Sequence, residues 1–97
     1  MRKEFFVYIL TNRTNRVLYT GFTGQLAARV GQHKEKKERG FTQRYKVTKL
    51  VYFESFPNAL DAIAREKQIK AGSRQKKIDL VNAMNPDWRD LFEDLYL

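Results

Sequence analysis

The sequence contains no cysteine, one histidine and only two prolines among its 97 residues. The absence of cysteine excludes a disulfide scaffold, a zinc ribbon and a thiol nucleophile, and a single histidine excludes a multi-histidine metal site. No apolar run approaches the roughly 18 residues that cross a bilayer, and the charged start leads into too short an apolar stretch for a signal peptide. We therefore expect a cytoplasmic protein that has no membrane partner.

Length and composition predict a single domain over residues 1–97. Hydrophobic residues make up 42% of the chain and aromatic residues 13%, which is enough for a core and excludes wholesale disorder. A chain of this length has no room for a two-domain enzyme or a large nucleotide-binding fold. The sequence leaves the oligomeric state open, and we favour a monomer.

The charge is strongly unbalanced. The net charge is +8; residues 1–53 carry twelve basic and three acidic side chains, whereas residues 82–97 carry one basic and four acidic side chains. Such an imbalance on a small domain favours a polyanionic partner, although the charge also serves simple solubility. An anionic membrane surface is disfavoured, because no long basic helix has bulky apolar anchors.

Two β-strands and a connecting hexapeptide open the chain. Phe5–Leu10 and Val17–Phe22 are rich in aromatic and β-branched residues, which favours strands. A turn that is symmetric about residues 13 and 14 would place Tyr8 directly opposite Tyr19, on the same face of an antiparallel pair. The two tyrosines are therefore expected to project side by side.

The next predicted element is a helix over residues 25–38. Leu26 and Val30 define its buried stripe, and Arg29 and His33 lie on or beside that stripe. A polar and aromatic loop over residues 40–45 is expected to follow.

A third strand over residues 47–54 leads into a second helix, for which Asn58 is the expected N-cap and Gly72 the end. Glu66 lies on the shoulder of the side of this helix that we expect to be buried. That side consists of Leu60, Ile63, Ala64, Lys67 and Ala71.

Ser73 is the expected cap of a third helix that ends near Met84. Cations in its first turn oppose the helix dipole, which an external phosphate would offset; the alternative is a solvated polar face. Asn85, proline and aspartate then predict a last, acidic helix over about 86–97 that docks on the core.

The short sequences Phe6-Val7-Tyr8 and Tyr19-Thr20-Gly21, ten residues apart, resemble the paired signature of GIY-YIG nucleases. The continuation agrees, because Arg29 and His33 follow on one helix and Glu66 on a later one. The resemblance covers nearly the whole chain and extends to small stand-alone bacterial members related to the nuclease module of the excision-repair endonuclease. Two departures are Phe6 in place of the first glycine and Thr20 in place of the middle isoleucine.

The resemblance implies an α+β fold, a small three-stranded antiparallel sheet flanked by helices. It also implies a metal-dependent endonuclease acting on DNA, in repair or recombination, with RNA as an alternative substrate. Its catalytic residues would be Tyr8, Tyr19, Arg29, His33 and Glu66. Asn82 is a weak candidate for a later asparagine that some members use. We add as nucleic-acid-binding residues Lys34, Arg44, Lys70, Arg74, Lys76 and Lys77.

These residue types suit phosphodiester hydrolysis. A divalent ion neutralises the phosphate and stabilises the leaving oxygen, and one Mg²⁺ (or Mn²⁺) needs little more than a single carboxylate, here Glu66, with Glu54 as a competing ligand. The planar donors of Arg29 suit the scissile phosphate. We expect Tyr8 to be the general base and Tyr19 to orient water or phosphate.

Each of these residues also has a structural interpretation. Tyr8 and Tyr19 would form a cross-strand aromatic pair, Arg29 would form a salt bridge with Glu66, and His33 would be a hydrogen-bonded histidine at a helix edge. Two other functions compete with the nuclease. One is a non-catalytic nucleic-acid-binding module that retains the fold, and the other is an interaction domain that uses its acidic tail. Since a small domain has little surface for reading bases, we expect selection of DNA structure over DNA sequence.

Overall fold

The computed structural model describes residues 3–35 and 44–96. Its strands are β1 (Phe5–Thr11), β2 (Leu18–Thr23) and β3 (Lys49–Phe56), which pair antiparallel in the order β2-β1-β3. The predicted α+β fold, with a three-stranded antiparallel sheet, is confirmed. The third strand lies two residues further along the chain than predicted.

The register of β1 and β2 differs from the predicted one by two residues. Tyr8 pairs with Gly21, and Tyr19 pairs with Leu10. The turn causes the difference: the side chain of Asn12 accepts from the backbone N–H groups of two later residues, and Asn15 takes a left-handed φ of 60°. Side chains alternate between faces with a period of two, so this shift leaves both tyrosines on one face.

The helices are α1 (Leu26–Lys34), α2 (Ala59–Ala71) and α3 (Arg74–Met84). The caps are as predicted, because the side chains of Asn58 and Ser73 accept from backbone N–H groups in the first turns of α2 and α3. In the described residues α1 ends earlier than predicted. The rest of the predicted helix, and most of the loop predicted after it, lie outside the described residues.

The predicted buried face of α2 is wrong. Ala62 and Ile69 are buried against the sheet, whereas Leu60 is 79% exposed and Lys67 is also exposed. The small side chain of Ala62 lets the helix backbone approach the sheet closely, which rotates the expected stripe outward. The rotation leaves Glu66 partly buried on one flank of the helix.

The last predicted helix is also wrong. Trp88 has a left-handed φ of 53°, which interrupts any helix begun at Pro86, and only a short 3-10 helix forms at Phe92–Tyr96. The segment nevertheless docks on the core as expected, because Leu91 is buried and its N–H donates to the carbonyl oxygen of Leu50.

The sheet separates two hydrophobic clusters. Val7 and Ile9 face α2 and α3, while Tyr8 and Leu10 face α1 and the C-terminal segment. No helix among the described residues is long and apolar enough to cross a bilayer. We call the two sides of the sheet the α1 layer and the α2 layer. Side chains of one layer contact the helices on that side of the sheet.

Candidate active site

Three aromatic side chains meet on the α1 face of the sheet. The ring centroid of Tyr8 lies 6.4 Å from that of Tyr19 and 6.3 Å from that of His33, and the Tyr19 and His33 centroids are 5.7 Å apart. Tyr8 is 2% exposed and His33 is 5% exposed, whereas Tyr19 is only half-buried. The structure thus brings together three of the five predicted catalytic residues.

Gly21 makes this packing possible. A Cβ atom at residue 21 would lie 2.4 Å from both Cζ and Oη of Tyr8, a separation that no side chain tolerates. The Tyr8 ring therefore lies directly across the glycine on the neighbouring strand. This close approach gives a packing reason for the glycine of the Tyr19-Thr20-Gly21 sequence.

Arg29 lies one helical turn before His33 on α1 and is half-buried. It borders an open cavity of about 400 Å³ together with Thr23, Gln25 and Gln32. The planar donors of a guanidinium suit a phosphate that enters such a cavity. Arg29 and His33 thus share the α1 layer with the two tyrosines.

Glu66 lies in the other layer, on α2. One carboxylate oxygen is 3.4 Å from Nζ of Lys70, and the Glu66 side chain is 19% exposed. Arg65 and Glu66 project from opposite flanks of the buried stripe of α2, and Arg65 reaches Glu54 on β3. Glu66 and Lys70 therefore lie on the flank of α2 nearer β2. The β2 edge of the sheet separates them from the aromatic cluster on the other face.

A cavity of about 360 Å³ at this β2 edge links the two layers. It is lined by Leu18, Tyr19, Thr20, Lys70 and Lys77. Of the three aromatic residues, Tyr19 is thus the one that lines this cavity, which Lys70, the partner of Glu66, also lines. Thr20, which has no role in the predicted site, is buried, and its Oγ1 has no hydrogen-bond partner among the described residues.

The donor set fits a lightly anchored Mg²⁺ and not a metal cage. No group of three or more His, Cys, Asp or Glu side chains gathers within residues 3–35 and 44–96. Glu66 offers one partly exposed carboxylate, and Mg²⁺ needs few protein ligands because it retains several waters and also binds phosphate oxygens.

Glu54, the competing ligand, belongs to a separate network on β3. The Tyr52 hydroxyl donates to Glu54, and Nε of Arg65 donates to the same carboxylate oxygen at 2.9 Å. Burial, followed by the neighbouring Glu54 carboxylate, raises the pKa of Tyr52 to about 12. The sequence signal for the contact was the Tyr-x-Glu spacing, which places both side chains on one face of a strand.

Two of the six predicted nucleic-acid-binding cations are half-buried and held by partners within the protein. Lys34 pairs with Asp90 and lies 5.0 Å from the ring centroid of Phe92. Nζ of Lys77 donates to the carbonyl oxygen of Gly72 at 2.7 Å. Lys77, in the first turn of α3, therefore stands at the carbonyl end of α2, whose dipole it complements, so an external phosphate is not needed to explain this cation.

The other four predicted cations are exposed. Arg74 donates to the carbonyl oxygen of Arg16 at 2.6 Å, and Arg44 stacks on Tyr45 with 5.7 Å between the guanidinium carbon and the ring centroid. Lys70 and Lys76 are the remaining two. Asn82, the weak candidate, instead accepts from Nε1 of Trp88 at 2.6 Å.

Comparison with known proteins supplies the family context. A family model described as the GIY-YIG catalytic domain matches residues 4–79. The UPF0213 protein of Staphylococcus haemolyticus is 37% identical over 78 residues, which cover 80% of this chain and 94% of that protein. The UPF0213 protein of Pediococcus pentosaceus is 38% identical over 74 residues, which cover 76% of this chain and 77% of that protein.

A solved structure has the same fold. The solution NMR structure of a UPF0213 protein from Bacillus halodurans superposes with a TM-score of 0.57 and is 29% identical in sequence. The superposition covers 90% of this chain and 92% of that protein.

Proposed function

The chain belongs to the GIY-YIG family, a nuclease superfamily, as its sequence resemblance implied, and from this premise we propose that it is a metal-dependent endonuclease that hydrolyses phosphodiester bonds in DNA. The observation that carries the proposal is the packing of the Tyr8, Tyr19 and His33 rings over Gly21. The substrate is a nucleic acid with a distinctive structure, such as a branch or a flap, met in repair or recombination.

Tyr19 and Tyr8 divide the work differently from the expectation drawn from the sequence. Tyr8 is 2% exposed and held across Gly21, whereas Tyr19 is half-buried and borders the cavity at the β2 edge. A general base must reach the water whose proton it removes. We therefore assign that task to Tyr19, which gives its phenolic proton to His33 and takes a proton from the attacking water, while Tyr8 fixes its orientation.

Arg29 and Glu66 approach the substrate from the two layers. Arg29, one helical turn before His33 on α1, holds the scissile phosphate through its fork of donors. Glu66 is the carboxylate that anchors one Mg²⁺ or Mn²⁺. Such an ion, when bound, neutralises phosphate charge and stabilises the leaving oxygen.

The test is cleavage of supercoiled, branched, flapped and single-stranded DNA in the presence of Mg²⁺ or Mn²⁺. We expect the wild-type protein to cut a branched or flapped substrate, and Tyr19→Phe and Glu66→Gln each to lose at least about a hundredfold in rate. The matched control is Glu93→Gln, which removes an exposed carboxylate from the C-terminal 3-10 helix. The proposal is wrong if the wild-type protein cuts none of these substrates, or if Glu66→Gln cuts as fast as Glu93→Gln.

A second candidate function is a non-catalytic nucleic-acid-binding module. The observation that favours it is the pairing of Glu66 with Lys70, which occupies the carboxylate that a metal needs. This function gives salt-sensitive DNA binding that Glu66→Gln leaves unchanged, with no turnover in either metal.

A further inference from the structure

Lys70 stands between two possible partners. Its Nζ lies 3.4 Å from the Glu66 carboxylate, and its side chain also lines the cavity beside Tyr19 and Thr20. The Lys70 side chain is 52% exposed. Exposed ion pairs four residues apart on a helix are weak, so this contact is readily broken.

The other lysine of the cavity has a fixed position. Nζ of Lys77 donates to the backbone carbonyl oxygen of Gly72 at 2.7 Å. It also lies 3.5 Å from the backbone carbonyl oxygen of Lys70. Holding the end of α2 is a structural task that Lys77 performs whether or not a ligand is present. Of the two lysines, Lys70 is therefore the one that can change partners.

We propose that Lys70 is a positioning residue that exchanges partners. It neutralises Glu66 in the free protein and turns into the cavity at the β2 edge to bind a backbone phosphate of the nucleic acid once a divalent cation takes the carboxylate. The inference rests on the proposed function, because Glu66 is the metal anchor there.

The exchange makes metal binding and the Lys70–Glu66 pair competitive. Removing the ammonium removes both the competitor for the carboxylate and a like charge beside the incoming cation. We expect Lys70→Met to bind Mn²⁺ about fivefold more tightly than the wild-type protein when no DNA is present. Calorimetry, or electron paramagnetic resonance of free Mn²⁺, measures this directly and does not depend on cleavage.

Lys67→Met is the matched control, because Lys67 is an exposed lysine on the same helix and its loss changes the net charge equally. We expect its Mn²⁺ affinity to stay within about twofold of wild type, since screening weakens distant charges. Equal Mn²⁺ affinities for Lys70→Met and Lys67→Met would overturn the exchange.

The same variants have the opposite effect on nucleic-acid binding. With Ca²⁺ as the supporting cation, a fluorescent flap oligonucleotide is expected to bind Lys70→Met about tenfold more weakly than Lys67→Met. Lys70→Arg, which keeps the charge, is expected to restore most of the affinity. An unchanged DNA affinity in Lys70→Met would contradict the second half of the exchange.

Glu66→Gln separates this inference from the proposed function. If Glu66→Gln abolishes Mn²⁺ binding while Lys70→Met matches its control, Glu66 stands as the metal anchor and the exchange is wrong. If Lys70→Met tightens Mn²⁺ binding and weakens DNA binding but the wild-type protein never cleaves DNA, the exchange stands and the nuclease proposal fails.

Discussion

At the scale of single residues, Gly21 has the narrowest tolerance in the site. The Tyr8 ring occupies the space where any side chain at residue 21 would begin. We expect Gly21→Ala to lower the free energy of unfolding by about 1–3 kcal/mol, because a well-packed ring has to shift to admit the methyl group. Urea denaturation followed by fluorescence of Trp88 gives the value.

Gly31 provides the control for this substitution. It lies within α1, and a Cβ atom there meets nothing within 4 Å. Gly31→Ala is therefore expected to raise the free energy of unfolding by about 0.5–1 kcal/mol, because alanine loses less entropy in a helix than glycine does. A Gly21→Ala protein as stable as wild type would show that the Tyr8 ring is not confined.

Tyr52 makes a prediction about pH. Its pKa, raised to about 12 mainly by burial, lies above the ordinary value of 10.0. The folded state thus favours the neutral phenol, and the stability that this gives is complete below pH 10 and is lost as the pH rises from 10 towards 12. We expect an ultraviolet titration to contain a late-ionising component that Tyr52→Phe removes.

Glu54→Gln tests the cause of this shift. Because the Glu54 carboxylate contributes less than burial, we expect the pKa of Tyr52 to fall but to stay above its ordinary value. A late-ionising component of equal size in the wild-type and Tyr52→Phe proteins would refute the assignment.

At the scale of elements, the two long helices are defined by their caps. The Oδ1 atom of Asn58 accepts from the backbone N–H of Asp61 at 2.9 Å. Asn58→Ala is expected to reduce the free energy of unfolding by about 1 kcal/mol, since it leaves a donor of the first turn without its partner. Asn58→Ser, which keeps an acceptor, should retain most of the stability, and thermal unfolding compares the two. Equal losses would mean that the side chain packs and does not cap.

The caps were predictable from sequence, whereas the packing angles were not. Asn58 and Ser73 act through neighbours three residues away, so local sequence contains the whole interaction. The buried face of α2 depends instead on how closely Ala62 approaches the sheet, and the stop at Trp88 on a left-handed backbone conformation. The packing of α2 is set by contact with distant strands, and the turn at Trp88 by Asn85, which accepts from the Trp88 amide while its side chain donates to the carbonyl oxygen of Val51 on β3.

The candidate site was predictable to the same degree. Tyr8 and Tyr19 meet because side chains alternate between the faces of a sheet, so a two-residue change of register keeps both on one face. His33 joins them because it shares a helix face with Val30. The layer of Glu66 is a tertiary property. The spacing of four residues indicates that Glu66 meets Lys70 on the helix, but no spacing along the chain indicates on which side of the sheet the pair lies.

At the scale of the whole molecule, the net charge is +8, and the basic side chains that produce it are of two kinds. Some are exposed at the surface, and others are held by partners within the protein. Lys76 is exposed, whereas Lys34 is paired with Asp90. Only cations that meet phosphates release counterions on binding.

We therefore expect Lys76→Met to lower the slope of log affinity against log salt concentration by about one and to leave the stability unchanged. Lys34→Met should do the reverse, losing stability with little change of slope. Fluorescence anisotropy with a DNA flap between low and moderate salt, together with urea denaturation, checks both. A larger change of slope in Lys34→Met than in Lys76→Met would reverse this division of the cations.

Side-chain contacts hold the helix that contains Arg29 and His33 at both of its ends. The backbone N–H of Gln25, just before it, donates to the Thr23 side chain, and Lys34 at its far end meets Asp90, which also accepts from the amide of Leu50. A tryptic cut after Arg89 would release the far fastening and leave the sheet and the other two helices intact. The cleaved chain is expected to keep its circular dichroism spectrum, while the Arg29 guanidinium and the His33 imidazole lose their fixed positions relative to the two tyrosines.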